Sequence, residues 1–170
     1  RVWNRVALHH LHYHALRAQF PALGSQMVCN AIYAVSKMAR LVYQHPKSPY
    51  NPALNPGAAL PLLRFADSCP VYFDRHTLSL KPGQLSLFTM DGRMRFELTL
   101  GKDKLAVFDQ AKLREIVLNE RVDKVFELSF FLDSADAADP GEITLPTAQT
   151  APSAPPARWI PEYVSVEVKS

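Results

Sequence analysis

The apolar period changes once along this chain, and that change constrains the fold more than any other feature. Val2, Trp3, Val6, Ala7, Leu8, Leu11, Ala15, Leu16 and Phe20 recur three or four apart, as do Val28, Ala31, Ile32, Val35, Ala39, Val42 and Tyr43. That spacing puts each set on one face of a helix. Pro21 and Gly24 separate the two helices, Ser25 is placed to cap the second, and Pro46 forbids its continuation, so residues 1–45 are expected to form an αα-hairpin. Beyond a stretch rich in proline, asparagine and small residues (46–69), the period falls to two. Val71 and Phe73, Leu78 and Leu80, Leu85 and Leu87, then Met94, Phe96, Leu98 and Leu100 alternate with polar positions, as strands with one buried face do.

Turn chemistry orders these strands. Lys81-Pro82-Gly83-Gln84 and Met90-Asp91-Gly92-Arg93 each supply a tight connection, the second through an Asp-Gly pair. A meander of three or four antiparallel strands is predicted, followed by a short helix or loop near Lys102 to Gln110 and strands near Leu113 to Leu118 and Lys124 to Leu132. The fold class is therefore α+β, an αα-hairpin with a small antiparallel, OB-like barrel over 70–133. Residues 134–158, dominated by Ala, Pro, Ser, Thr and Asp, read as a flexible linker, and 159–170 as a possible terminal strand.

Charge is segregated. Residues 1–66 hold seven basic side chains and no acidic one, whereas all sixteen acidic residues lie in the remainder. A basic half favours a polyanionic partner. On the helices Arg5, His9, His12, Arg17, Lys37 and Arg40 are expected on polar faces, and Arg75, Lys81, Arg93 and Arg95 gather around the hairpins, Arg93 and Arg95 on one face of their strand. Ser25 and Gln26 open the second helix, where a helix N-terminus also suits a phosphate.

The other chemistry-bearing residues form no site. His10 and His14 sit one helical turn apart, but no third ligand or HExxH pattern accompanies them, so no metal or other cofactor is expected. Cys29 and Cys69 are too few for a disulfide framework and lack paired-ligand spacing. Asp133, Asp136 and Asp139 fall at or within the expected linker, and no phosphate loop or nucleophile elbow is present, so no catalytic residue is assigned. With no long apolar run and no leader pattern, the expectation is a soluble cytoplasmic protein without a membrane partner.

The stretch LGSQM followed by CNAIYAVSKMARLVY, then VYFDRHTLSLKPGQLSLFTMDGRMRFELTLG and KVFELSFFLD, resembles the recognition-helix and wedge portion of TnpB proteins, the transposon-encoded ancestors of type V CRISPR effectors. The resemblance covers about residues 1–133 and rests on the order and spacing of these motifs. It implies a wedge domain that holds structured guide RNA, helices that help hold an RNA–DNA or target DNA duplex, and Ser25 and Gln26 as contacts. The magnesium-binding carboxylates and four-cysteine zinc element of that family's RuvC domain are not matched here. The implied function is thus a non-catalytic nucleic-acid-binding module. The alternatives are the front part of an active RNA-guided endonuclease whose RuvC domain lies on another segment or chain, and a protein-interaction module that binds no nucleic acid. The usual first wedge strand has no counterpart ahead of Arg1, which implies a barrel open on one side or completed by another chain.

Overall fold

A computed structural model describes residues 3–57, 59–133 and 160–168. Helix α1 (Arg5–Gln19) and helix α2 (Ser25–Gln44) form the expected hairpin. Asn4 caps α1, its Oδ1 accepting from the Ala7 amide at 3.1 Å. The cap position of α2 is Gly24, and no side chain caps it, so Ser25 is the first helical residue and its hydroxyl does not fill the expected capping role. Strands β1 (Leu62–Phe65), β2 (Val71–Phe73), β3 (Leu78–Lys81), β4 (Gln84–Thr89) and β5 (Gly92–Glu97) follow. Helix α3 (Lys102–Gln110), β6 (Lys112–Glu120), β7 (Phe126–Asp133) and β8 (Val164–Glu167) complete the order.

The described strands do not close into a barrel. Among the described residues they form three antiparallel sheets, β3-β4-β5, β2-β6-β7 and the pair β1-β8. Alternation in sequence specifies that a segment is a strand with one buried face, and leaves its partner to long-range pairing. The meander is as expected, with Pro82 presetting its turn and Gly83 taking φ 74° where a side chain would be strained. The second hairpin is shifted by one residue. Thr89 pairs with Gly92 around Met90 and Asp91, and Gly92, at φ 101°, opens β5 instead of sitting in the loop. Strand β1 arises inside the segment read as a connecting loop, and pairs with β8 from Leu62↔Glu167 to Phe65↔Val164. The expected linker at 134–158 lies outside the described residues.

Two cores hold these parts. Phe73, Leu78, Leu85, Leu87 and Ile116 bring together the two three-stranded sheets, and Met27 of α2 packs against them. Ala39, Val42 and Tyr43 of α2 form the second, with Trp3, Leu63 and Val166 around them. The Tyr43 hydroxyl donates to the Pro61 carbonyl at 2.6 Å, which ties the end of α2 to the start of β1.

The helical elbow is fitted to the meander at one point. A Cβ on Gly24 would lie 2.9 Å from Cε1 of Phe88 in β4. Gly24 has an ordinary φ of −58°, so the demand for glycine is steric. Gly24→Val is expected to cost about 1–3 kcal/mol by overpacking. Combining it with Phe88→Leu should recover part of the loss in urea denaturation, because the two residues share one space. Additive losses would mean that the contact is not what excludes a side chain.

Candidate nucleic-acid interface

The sequence places twelve residues on a nucleic-acid surface, and folding divides them. Lys37 leaves the set. Its Nζ lies 2.9 and 3.1 Å from the two carboxylate oxygens of Glu115 on β6, and its side chain is 8% exposed. The ammonium also sits 4.9 Å from the Tyr72 ring centroid and 5.7 Å from that of Tyr33. Burial beside a carboxylate and two aromatic faces makes Lys37 a fastener between α2 and β6.

Gln26 is also used internally. Its Nε2 donates to Asp74 Oδ2 at 2.6 Å, while Asp74 Oδ1 accepts from the amides of His76 and Thr77 and from the Thr77 hydroxyl. Asp74 thereby builds the turn that launches β3, and Gln26 locks that turn to α2. The start of α2 and the turn before β3 are thus in direct contact through Gln26 and Asp74, with Ser25 exposed beside them. Arg17 is half-buried and donates to the Leu23 carbonyl, closing the elbow between the helices. Arg93 donates from Nη1 to Ser86 Oγ and from Nη2 to the His76 carbonyl, both at 2.9 Å, so it braces β5 against β4 and the Asp74 turn.

The others reach solvent. His12, Arg40, Arg75, Lys81 and Arg95 are exposed, and Arg75 Nε stands 3.5 Å from His76 Nε2. His9 is half-buried and stacks on Tyr13 one turn later, with centroids 4.7 Å apart. Among the described residues no group of three or more His, Cys, Asp or Glu side chains is arranged to hold a metal ion. No helix of those residues is long and apolar enough to cross a membrane.

The sequence reading assigned no role to Tyr33. The Arg5 guanidinium lies 5.3 Å from the Tyr33 ring centroid, and Tyr72 meets that ring edge-on at 5.8 Å. Burial, and then the Glu115 carboxylate, raise the Tyr33 hydroxyl above its usual pKa, while Arg5, Arg114 and Arg40 pull it the other way. The half-buried Tyr33 thus has the Arg5 guanidinium of α1 beside its ring and feels the charges of Arg40 on α2 and Arg114 on β6. Arg5 and Arg40 have no acidic partner among the described residues, whereas Arg114 has Asp133 at 3.4 Å in an exposed pair that contributes little. The signal was present in the spacing, since Tyr33, Lys37 and Arg40 lie four and three residues apart on one stripe of α2.

The chain matches no family profile, no curated protein and no solved structure.

Proposed function

We propose that this chain is a non-catalytic nucleic-acid-binding module whose ligand is structured RNA, held at the arginine cluster around Tyr33. The observation that carries this reading is the exposed Arg5 guanidinium 5.3 Å from the centroid of the Tyr33 ring, whose hydroxyl also feels the positive charge of Arg114 and Arg40. Guanidinium groups bind phosphate oxygens in bidentate fashion, and a tyrosine among them offers a face or edge to a base. The exposed Arg75, Lys81 and Arg95 extend the cationic surface onto the meander. The order and spacing of the recognition-helix and wedge motifs support a finer version, in which the RNA is the guide of a TnpB-like system and the target duplex and a RuvC-bearing chain are further partners.

Binding that rests on phosphate contacts releases counterions, so affinity for a structured RNA should fall steeply with salt. Replacing Arg5 and Arg40 together by Gln is expected to lower the log–log salt slope by roughly 1.5–2 units, while Lys102→Ala on α3 leaves it nearly unchanged. Filter binding at several salt concentrations measures both. Equal losses from the double variant and from Lys102→Ala would reduce the interaction to general charge attraction, and an affinity independent of salt would remove the proposal.

A further inference from the structure

Strand β5 is the outer strand of its sheet, and from Arg93 to Glu97 every residue is exposed. Two of these residues belong by register to the core side. Met94 lies opposite Leu87, and Phe96 opposite Leu85, so they share the face that buries those leucines. Yet Met94 is 45% and Phe96 42% exposed, because among the described residues the sheet stops at β5 and no side chain continues the core past them.

The backbone of β5 is open in a defined pattern. The Leu98 amide donates to the Gly83 carbonyl at 3.1 Å, the next rung beyond the Gln84↔Glu97 pair. Hydrogen-bonded and non-hydrogen-bonded pairs alternate along an antiparallel ladder, so Phe96 and Met94 also bond inward to β4. The amides and carbonyls of Arg93, Arg95 and Glu97 therefore point outward, away from β4. Consistently, Phe88, the partner of Arg93, sends its amide to Thr77 on the β3 side.

We infer that β5 pairs antiparallel with β5 of a second copy of this chain, in the register that sets Arg95 opposite Glu97 of the second copy and Phe96 opposite its own equivalent on the two-fold axis. This register satisfies three independent demands. It pairs outward-pointing residues with outward-pointing residues, so each Arg95–Glu97 rung exchanges two backbone hydrogen bonds. It places opposite charges across from each other twice, by symmetry, and both side chains are free, since neither Arg95 nor Glu97 has a side-chain partner among the described residues. It also brings Phe96 against Phe96, and Met94 against Leu98 of the second copy, in the closer non-hydrogen-bonded pairs, extending the open end of each core into the other. The other registers of the same parity set like charges opposite each other, Arg95 against Arg95, Arg93 against Arg95 or Glu97 against Glu97, and the one with Arg93 opposite Glu97 would also draw Arg93 away from Ser86 and the His76 carbonyl. Sequence self-complementarity of the strand is what selects a second copy over an unrelated extended segment.

Sedimentation or light scattering from micromolar to near-millimolar concentration tests this. The full chain is expected to show a monomer–dimer equilibrium. Arg95→Glu alone and Glu97→Arg alone each place like charges across the interface and should weaken dimerisation at least tenfold. The double exchange restores opposite charges in the same register and should recover most of the wild-type affinity. Should the single variants fold poorly by circular dichroism, Phe96→Cys with Cys29 and Cys69 changed to Ser supplies the second measurement. The two thiols would face each other across a close pair and form a disulfide-linked dimer under mild oxidation. A chain that stays monomeric at every concentration overturns the inference. So does a dimer that ignores the charge reversals, or a Phe96→Cys variant that does not cross-link.

Discussion

Lys37→Met is expected to lower the unfolding free energy by about 3 kcal/mol, and Glu115→Gln by a similar amount, because each leaves the other partner charged in a site built for a pair. The geometry sets the scale: Nζ lies 2.9 Å from Oε1 with side-chain exposures of 8% and 17%, unlike the open pairs Arg121–Asp123 and Lys124–Glu120. A loss of that size in a chain of 170 residues lowers the thermal midpoint by roughly 6–12 °C. Replacing both residues at once, Lys37→Met with Glu115→Leu, removes two desolvated charges together and should return most of the stability. Urea denaturation of the wild type, Lys37→Met, Glu115→Leu and the double variant gives the coupling energy directly. A single-variant loss below about 1 kcal/mol would place the pair among solvated surface bridges. The functional corollary is equally sharp. If Lys37 fastens α2 to β6, the double replacement leaves the salt dependence of RNA binding intact, whereas a phosphate-binding Lys37 would reduce its slope.

That pair also marks the boundary of what could be read from residue order. Helix α2 was legible to within a residue or two of its end, since an apolar stripe running to Tyr43 and stopped by Pro46 leaves few choices, and α1 was legible to within a few residues. The meander followed from turn chemistry, with Pro82-Gly83 placed correctly and the second turn displaced by one residue. Both turns act through neighbours, and local rules carry that far. Strand β1 was hidden because Leu62–Phe65 is only four residues in a proline-rich segment, and its partner β8 lies about a hundred residues away. The three-sheet arrangement was hidden for the same reason, as period two does not say which strands meet. Among the basic residues, a helical wheel puts Lys37 and Arg40 on the polar face alike, and only the approach of β6 separates them. Glu115 sits 78 positions from Lys37, a distance at which charge pattern in sequence is silent. Ser25 and Gln26 show a similar limit. Their position at the start of α2 was evident, but the turn around Asp74, which engages Gln26, comes from the sheet.

The same packing that buries Lys37 makes the fold sensitive to alkali, and the expected result is a steep loss of stability above about pH 10. Tyr72 is pushed far above the usual tyrosine range, first by burial and then by Tyr163, Glu115, Cys69 and Tyr33 around it. Burial also raises Tyr33, Tyr43 and Tyr163. In the unfolded chain these hydroxyls ionise near pH 10. Above that value the unfolded chain holds fewer protons than the folded one, so unfolding becomes more favourable as pH rises. Each raised hydroxyl thus contributes stability that is complete below about pH 10 and is lost as pH climbs toward its folded value. Tyr72, the most strongly raised of the four, accounts for about 1.4 kcal/mol of loss by pH 11 and about 2.8 by pH 12. The Cys69 thiol, also raised by burial, adds a gentler decline that begins near pH 8.5. Urea denaturation at pH 8, 9, 10 and 11 measures the slope, and absorbance at 295 nm in the folded protein should show part of the tyrosine signal appearing only with unfolding. Tyr72→Phe removes the largest contributor and should flatten the slope above pH 10 by up to about 1.4 kcal/mol per pH unit. A stability unchanged to pH 11, or a slope that Tyr72→Phe leaves as steep, would mean that water reaches this cluster, and with it the ring of Tyr33 on which the proposed RNA site is built.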